Sequence, residues 1–212
     1  MSTRALTIAV AAVLVAVGAI VALTSGSDDE GSSSKARETD GAFIVEMIPH
    51  HESAIEMAQI ALERAQHPEV KKLAGAIVAA QEEEIRDLDS IHQQLFAEPV
   101  ASAGHGTLGL GIHQMGMGKD MAMLESARSF DRTFIDMMVP HHQGAIRMAR
   151  IELERGEHSR LMSIARAIVE AQSREIIEMN AWRRDWYGGP SPAGGIPPKE
   201  QGVPSHEMMG HG

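Results

Sequence analysis

Two tripeptides carry the most chemistry in this sequence. Pro49-His50-His51 and Pro140-His141-His142 each set adjacent imidazoles inside an apolar pattern. In a helix, neighbours differ by about 100°, so the two rings of a pair cannot share a direction, and each continues its own stripe of residues three and four apart. His50 continues Phe43, Met47, Ala54 and Met57, while His51 continues Ile44, Ile48, Ile55 and Ala58. His141 likewise shares a stripe with Met138, Ala145 and Met148. Rings on such stripes are expected in or at the edge of the core, where a buried imidazole needs a polar partner. Gln81 with Glu84, and Gln172 with Glu175, each three apart on a second stretch, are the candidate partners. Four histidines, two glutamines, two glutamates and several methionines converging on a pseudo-two-fold axis make either a hydrogen-bonded polar layer or a metal site. The prolines should kink or start their helices and free the carbonyl four residues earlier.

A second set of soft donors lies elsewhere. His105, His113, Met115, Met117, Met121 and Met123 cluster in and just after a Gly-rich stretch, and the chain closes on His206-Glu207-Met208-Met209-Gly210-His211. Methionines in Gly-rich segments are harder to explain as core filling than those on an apolar helix face. Thioether sulfur is a soft donor and imidazole a borderline one, so such clusters suit Cu(I) or Ag(I), and His-rich ones also Cu(II). His67 and His158 fall at helix-helix turns, where side chains commonly satisfy free backbone groups. His92 is expected at the surface.

Composition removes several alternatives. The 212 residues include no cysteine, which excludes disulfides, thiolate zinc sites, iron–sulfur clusters and a cysteine nucleophile. A net charge of −10 argues against an electrostatic grip on nucleic acid. No GxSxG, HExxH or phosphate-cradling glycine loop occurs.

The elements that must position these residues come from an internal duplication. A shift of 91 residues aligns 40–85 with 131–176 without a gap, and 24 of the 46 positions are identical. Each copy divides into two amphipathic stretches, giving expected helices over about 40–66, 68–97, 119–156 and 159–187. The expected fold is all-α: an antiparallel four-helix bundle from two duplicated hairpins (repeats 40–97 and 131–187, crossover 98–130). Ahead of it, Ala5 to Leu23 run 19 residues without charge, expected within residues 1–26 as a transmembrane anchor or signal segment. Arg4 would stay in the cytoplasm and the remainder would be exported. Residues 27–39 are expected to be a flexible acidic linker, and 188–212 a disordered Gly/Pro-rich tail.

The strings FIVEMIPHHESAIEMA and SFDRTFIDMMVPHHQGAIRMA, each followed by AQxxEI, resemble the DUF305 family over about residues 40–187. That resemblance implies a ferritin-like four-helix bundle, exported or membrane-anchored, with copper or silver bound by Met and His in members of the CopM type. By position, the implied ligands are His50, His51, His141, His142, Met47, Met57, Met138 and Met148, with Met115 and Met117 in the crossover. Residue type adds His113, Glu84 and Glu175. The expected function is extracytoplasmic binding of copper or silver, to sequester, buffer or hand on the ion, without enzymatic turnover. A second reading is a metal-free helical module that binds an extracytoplasmic protein partner or another copy of itself, with the histidines as a pH-sensitive layer. A ferritin-like oxidase is disfavoured because di-iron bundles use Glu-x-x-His, which occurs nowhere in this chain.

Overall fold

The computed structural model describes residues 30–96, 108–118 and 121–199. Four long helices and one short one account for most of them: α1 (Glu30–Arg64), α2 (Pro68–Phe96), α3 (Met121–Glu125), α4 (Phe130–Arg155) and α5 (Ser159–Tyr187). The helices α1 and α2 form one hairpin, α4 and α5 the other. The two hairpins meet chiefly along α1 and α4, whereas α2 and α5 touch only slightly. No strand occurs among the described residues. The apolar stretch Ala5–Leu23 lies outside them, and no described helix is long and apolar enough to cross a membrane.

The duplication is visible as a two-fold pairing of the core. One apolar cluster holds Met57 with Met138, and the other holds Met47 with Met148, so each combines a methionine from either repeat. That exchange requires α1 and α4 to run antiparallel, with His50 and His141 at the level between the clusters. Pro49 and Pro140 lie inside unbroken helices, so neither starts one as the sequence allowed.

Three boundaries differ from the sequence reading. Helix α1 begins at Glu30, so residues 30–39, expected as flexible linker, are helical. Tertiary contacts hold this extension: the Arg37 guanidinium donates to the carbonyl of Leu95 and lies 5.2 Å from the Phe96 ring centroid. A helix already nucleated by the amphipathic segment propagates cheaply into such a stretch. The helix expected over 119–156 is broken between Glu125 and Phe130. Arg64 stabilises the break by donating to the carbonyls of Leu124, Glu125 and Ala127, which no longer serve an ongoing helix. Finally, residues 188–199, expected to be disordered, fold back as a strap on α4 and α5. Gly188 ends α5 at φ 82°, a conformation glycine adopts without penalty. Beyond it, Asn180 accepts from Ser191 N and donates to Gly194 O, and Gln143 donates to the carbonyls of Ala193 and Gly195. The Met/His end of the tail lies outside the described residues.

Each repeat also caps the other. Asp131, at the start of α4, accepts from the backbone N–H of Gln66 at 2.9 Å and of His67 at 2.8 Å, in the turn before α2. Its repeat counterpart Asp40 accepts from Glu157 N at 3.1 Å and His158 N at 3.3 Å, in the turn before α5. The His67 ring closes the first cap, with Nδ1 2.5 Å from Asp131 Oδ2 and its face stacked on Trp186 at 3.6 Å. His158 caps its own helix by accepting from Leu161 N. His158 thus fills the helix-terminus role expected of both histidines, whereas the His67 ring meets the Asp131 carboxylate rather than a free backbone group. Asp131→Ala should lower the unfolding free energy by about 2 kcal/mol, in the range of a lost N-cap, and Asp131→Asn by less, since it keeps an acceptor. Urea unfolding of the two variants checks this.

Candidate metal centre

Helix α1 carries His50 and His51 into the interface with α4, and α4 returns His141 and His142. All four are buried, and their rings form one row. Centroid separations along His51, His50, His141 and His142 are 6.4, 3.7 and 6.5 Å. The central pair, one ring from each repeat, lies tilted by 35° in van der Waals contact.

The outer rings are held by the second helix of their own hairpin. His51 Nε2 lies 2.7 Å from Glu84 Oε2, and His142 Nε2 lies 2.6 Å from Glu175 Oε2. A carboxylate accepts, so Nε2 carries the proton in both rings, and the neutral tautomer then has its lone pair on Nδ1. Those Nδ1 atoms are buried and make no hydrogen bond. Gln81 and Gln172, one helical turn before the glutamates, each bury a side-chain oxygen that also accepts nothing. The repeats have therefore produced two matching sets of buried lone pairs.

The inner rings differ from one another. His50 Nε2 donates to the backbone carbonyl of Met115 at 2.8 Å, so the crossover reaches down onto the histidine row. Neither nitrogen of His141 makes a well-formed hydrogen bond, and the backbone of His50 gives it a weak contact. Burial first, then the positive charge that His50, His142 and His51 would carry, holds the His141 pKa well below the usual 6.5. It is a neutral imidazole at pH 7 with an available lone pair. A folded pKa below the unfolded one makes its contribution to stability present above pH 6.5 and lost as pH falls further.

Thioethers complete the surroundings. Met47, Met57, Met138, Met148 and Met115 are all buried in the clusters on either side. The crossover donors, by contrast, separate: Met115 is in the core, Met117 is half-buried, and His113 and Met123 face solvent. His105 and the terminal Met/His group lie outside the described residues. His92, expected at the surface, is buried against Phe96 with ring centroids 5.0 Å apart. Among the described residues, no group of three or more His, Asp or Glu side chains is arranged to hold a metal ion. The centre offers instead separate imidazole and amide lone pairs, with methionines in the two adjoining apolar clusters, a donor set that suits a soft ion of low coordination number better than zinc or iron.

Several residues that shape this centre gave little sequence signal. Gly144 and Gly116 let the crossover backbone approach α4: a Cβ on Gly144 would lie 1.8 Å from Met115 O, and one on Gly116 would lie 2.0 Å from Pro140 O. Glu46 holds the crossover at Leu108 by accepting from its backbone N–H at 3.0 Å. Glu152 is fully buried beside Asp40, with its pKa raised to about 8 by burial first and then by the Asp40 carboxylate.

Comparison with known proteins places these features in a group. The family profile described as "Domain of unknown function (DUF305)" matches residues 40–183 and again 131–211. Structures of CopM with Cu(I) bound and with Ag bound share 39% identity with the chain. They cover 70% of it and 98% and 97% of their own chains, at a TM-score of 0.62. CopM with Cu(II) bound matches at the same identity and TM-score. A DUF305 protein of Streptomyces coelicolor, described as a candidate secreted protein, is 27% identical. It covers 74% of this chain and 97% of its own, at a TM-score of 0.65. An uncharacterised protein, L153 of Acanthamoeba polyphaga mimivirus, is 38% identical over 52 residues, which span 34% of that protein.

Proposed function

Since the chain belongs to the DUF305 family, and the matched region holds both histidine pairs, we propose that it is an extracytoplasmic copper- or silver-binding protein. It sequesters, buffers or hands on the ion through His and Met side chains, without turnover. The observation that carries this reading is the histidine row, whose buried and unsatisfied atoms include Nδ1 of His51 and His142 and both nitrogens of His141, together with the buried oxygens of Gln81 and Gln172 one helical turn before the glutamates that hold the outer rings. In neutral rings these atoms are chiefly lone-pair donors, and burying them without a partner costs about 1–3 kcal/mol each. A cation that accepts lone pairs repays that cost. The flanking thioethers make a soft monovalent ion the better match.

CopM, similar in both sequence and fold, has solved structures in Cu(I)-, Cu(II)- and Ag-bound forms, which supports the metal class. The candidate secreted relative supports an extracytoplasmic location. In this reading His141 and the Nδ1 atoms of His51 and His142 receive the ion, with Met47, Met57, Met138, Met148 and Met115 as sulfur donors. Glu84 and Glu175 orient the outer rings rather than bind the ion. The alternative of a proton-sensing, metal-free layer expects the histidines to add stability in acid, whereas His141 works in the opposite direction.

The test is an anaerobic titration of the purified protein with Cu(I) against a chromophoric chelator, repeated with Zn(II) and Fe(II). Selective Cu(I) uptake that raises the melting temperature is expected, since an ion held only by the folded state stabilises it. His50→Ala with His141→Ala should remove that rise, while Met123→Leu, at an exposed site, should leave it intact. No competition for Cu(I) and no preference among the metals would overturn the proposal.

A further inference from the structure

A separate cavity of about 690 Å³ opens between the crossover, the second half of α4 and the C-terminal strap, and no residue of the histidine row lines it. Its size falls within the ~300–1,000 Å³ of ordinary small-molecule sites. The apolar part is formed by Leu108 and Leu110, both buried, with Ile151 and Leu153 half-buried beside them. Around this lining stand four cations, Arg147, Arg150, Arg155 and Lys199, against one carboxylate, Glu154. Such a concentration of positive charge is unexpected in a chain of net charge −10.

The partners of these arginines matter more than their number. Elsewhere Arg183 bonds Asp136, Arg160 bonds Asp87 and Arg174 bonds Glu170, so their charges are neutralised locally. Arg150 ties the strap to α4 by donating to the carbonyls of Pro197 and Pro198 at 2.8 and 2.9 Å. Arg147 donates to the carbonyl of Gln114 at 2.9 Å, a bond that fixes its guanidinium in place without cancelling its charge and uses one of its five N–H donors. A site that combines positioned cations with an apolar floor recognises a molecule having both properties.

We propose that this cavity binds a small amphiphilic anion, with its carboxylate or sulfonate head on Arg147, Arg155 and Lys199 and its apolar body on Leu108, Leu110 and Ile151. Charge complementarity selects the head, because planar guanidinium and a carboxylate or sulfonate pair through two parallel hydrogen bonds. The apolar lining selects the body. The site is independent of the metal centre, so either can fail without the other.

The experiment uses the full chain and dodecanoate below its micellar range, followed by calorimetry, with dodecyltrimethylammonium as a control of equal apolar length and opposite charge. Dodecanoate is expected to bind once per chain and to displace anilinonaphthalene sulfonate, whereas the cationic control shows no saturable binding. Arg155→Gln with Lys199→Gln, both exposed positions, should weaken dodecanoate at least tenfold with unchanged helical circular dichroism. Arg147→Gln provides a second variant with the same expected direction. Equal binding of both amphiphiles, undiminished dodecanoate binding in the charge variants, absence of saturable dodecanoate binding, or saturable binding of an acidic peptide in its place would each overturn the proposal.

Discussion

Replacing Gly144 with alanine is expected to lower the unfolding free energy by about 3 kcal/mol, at the upper end of what overpacking a close contact costs. The added Cβ would stand 1.8 Å from the carbonyl oxygen of Met115 and 2.2 Å from its carbon, both backbone atoms that cannot rotate away. Nor can the crossover slide along the helix. From the other side Gly116, at φ +71°, leaves space for Pro140 O, so two glycines interlock the segments. The substitution must lift the crossover, breaking the bond from His50 Nε2 to Met115 O and withdrawing the buried Met115 side chain from the core. Repeat symmetry supplies the control, because the position equivalent to Gly144 is Ser53, which already has a side chain. Ser53→Ala should stay within about 0.5 kcal/mol of the parent. Urea unfolding gives the energies, and the nitrogen NMR shifts of the His50 ring report whether its hydrogen bond to the crossover is lost. A Gly144→Ala protein that unfolds at the parental urea concentration would show that the crossover does not dock so closely in solution.

The same comparison of repeats explains what the sequence could and could not convey. Periodicity and the 91-residue duplication are properties of local chain geometry and of core-facing stripes, and they correctly imply two hairpins, buried histidine pairs and glutamates within reach of them. The row itself, with His50 against His141, depends on how α1 crosses α4, and no spacing along one helix contains that distance. Where a residue acts across the interface the sequence stayed silent. Asp40 and Asp131 are identical in the duplication, yet nothing local shows that each caps the other repeat. The start of α1 and the strap over 188–199 escape a sequence reading for one reason: polar, Gly- or Pro-containing segments have weak intrinsic preference, and contacts with Phe96, Asn180 and Gln143 decide their structure. Departures from symmetry are the signal that could have been used. Gly144 stands where the first repeat has Ser53, and Glu152 where it has Ala61, and both asymmetric positions proved structurally special.

Glu152→Gln is expected to stabilise the protein by about 3 kcal/mol at pH 7, because the carboxyl's pKa is raised from 4.5 to about 8 and a tenfold change in proton affinity is worth about 1.4 kcal/mol. The Glu152 carboxyl is fully buried beside Asp40, whose oxygen is already committed to the backbone N–H of Glu157 and His158. Burial and that neighbouring negative charge raise its pKa from 4.5 to about 8. Between those values the unfolded chain has released the proton while the folded chain retains it, so stability falls as pH rises through the window. Below pH 4.5 both states are protonated and the penalty vanishes; above about 8 it is fully developed. Glutamine keeps a neutral group able to donate to Asp40 and removes the titration, so the gain should be near zero at pH 4.5 and grow toward pH 8. The variant also isolates the histidine row. In the parent, the loss of the His141 contribution below pH 6.5 is opposed by the gain from Glu152, and the two partly cancel. With Glu152 neutralised, metal-free stability should decline in acid and level off above pH 6.5, whereas a bound Cu(I) ion, competing with protons for the same lone pairs, should hold that decline to lower pH. Denaturant unfolding across pH 4 to 9 measures both limbs, and an unchanged pH profile in Glu152→Gln would mean that the carboxyl is not held protonated by the fold.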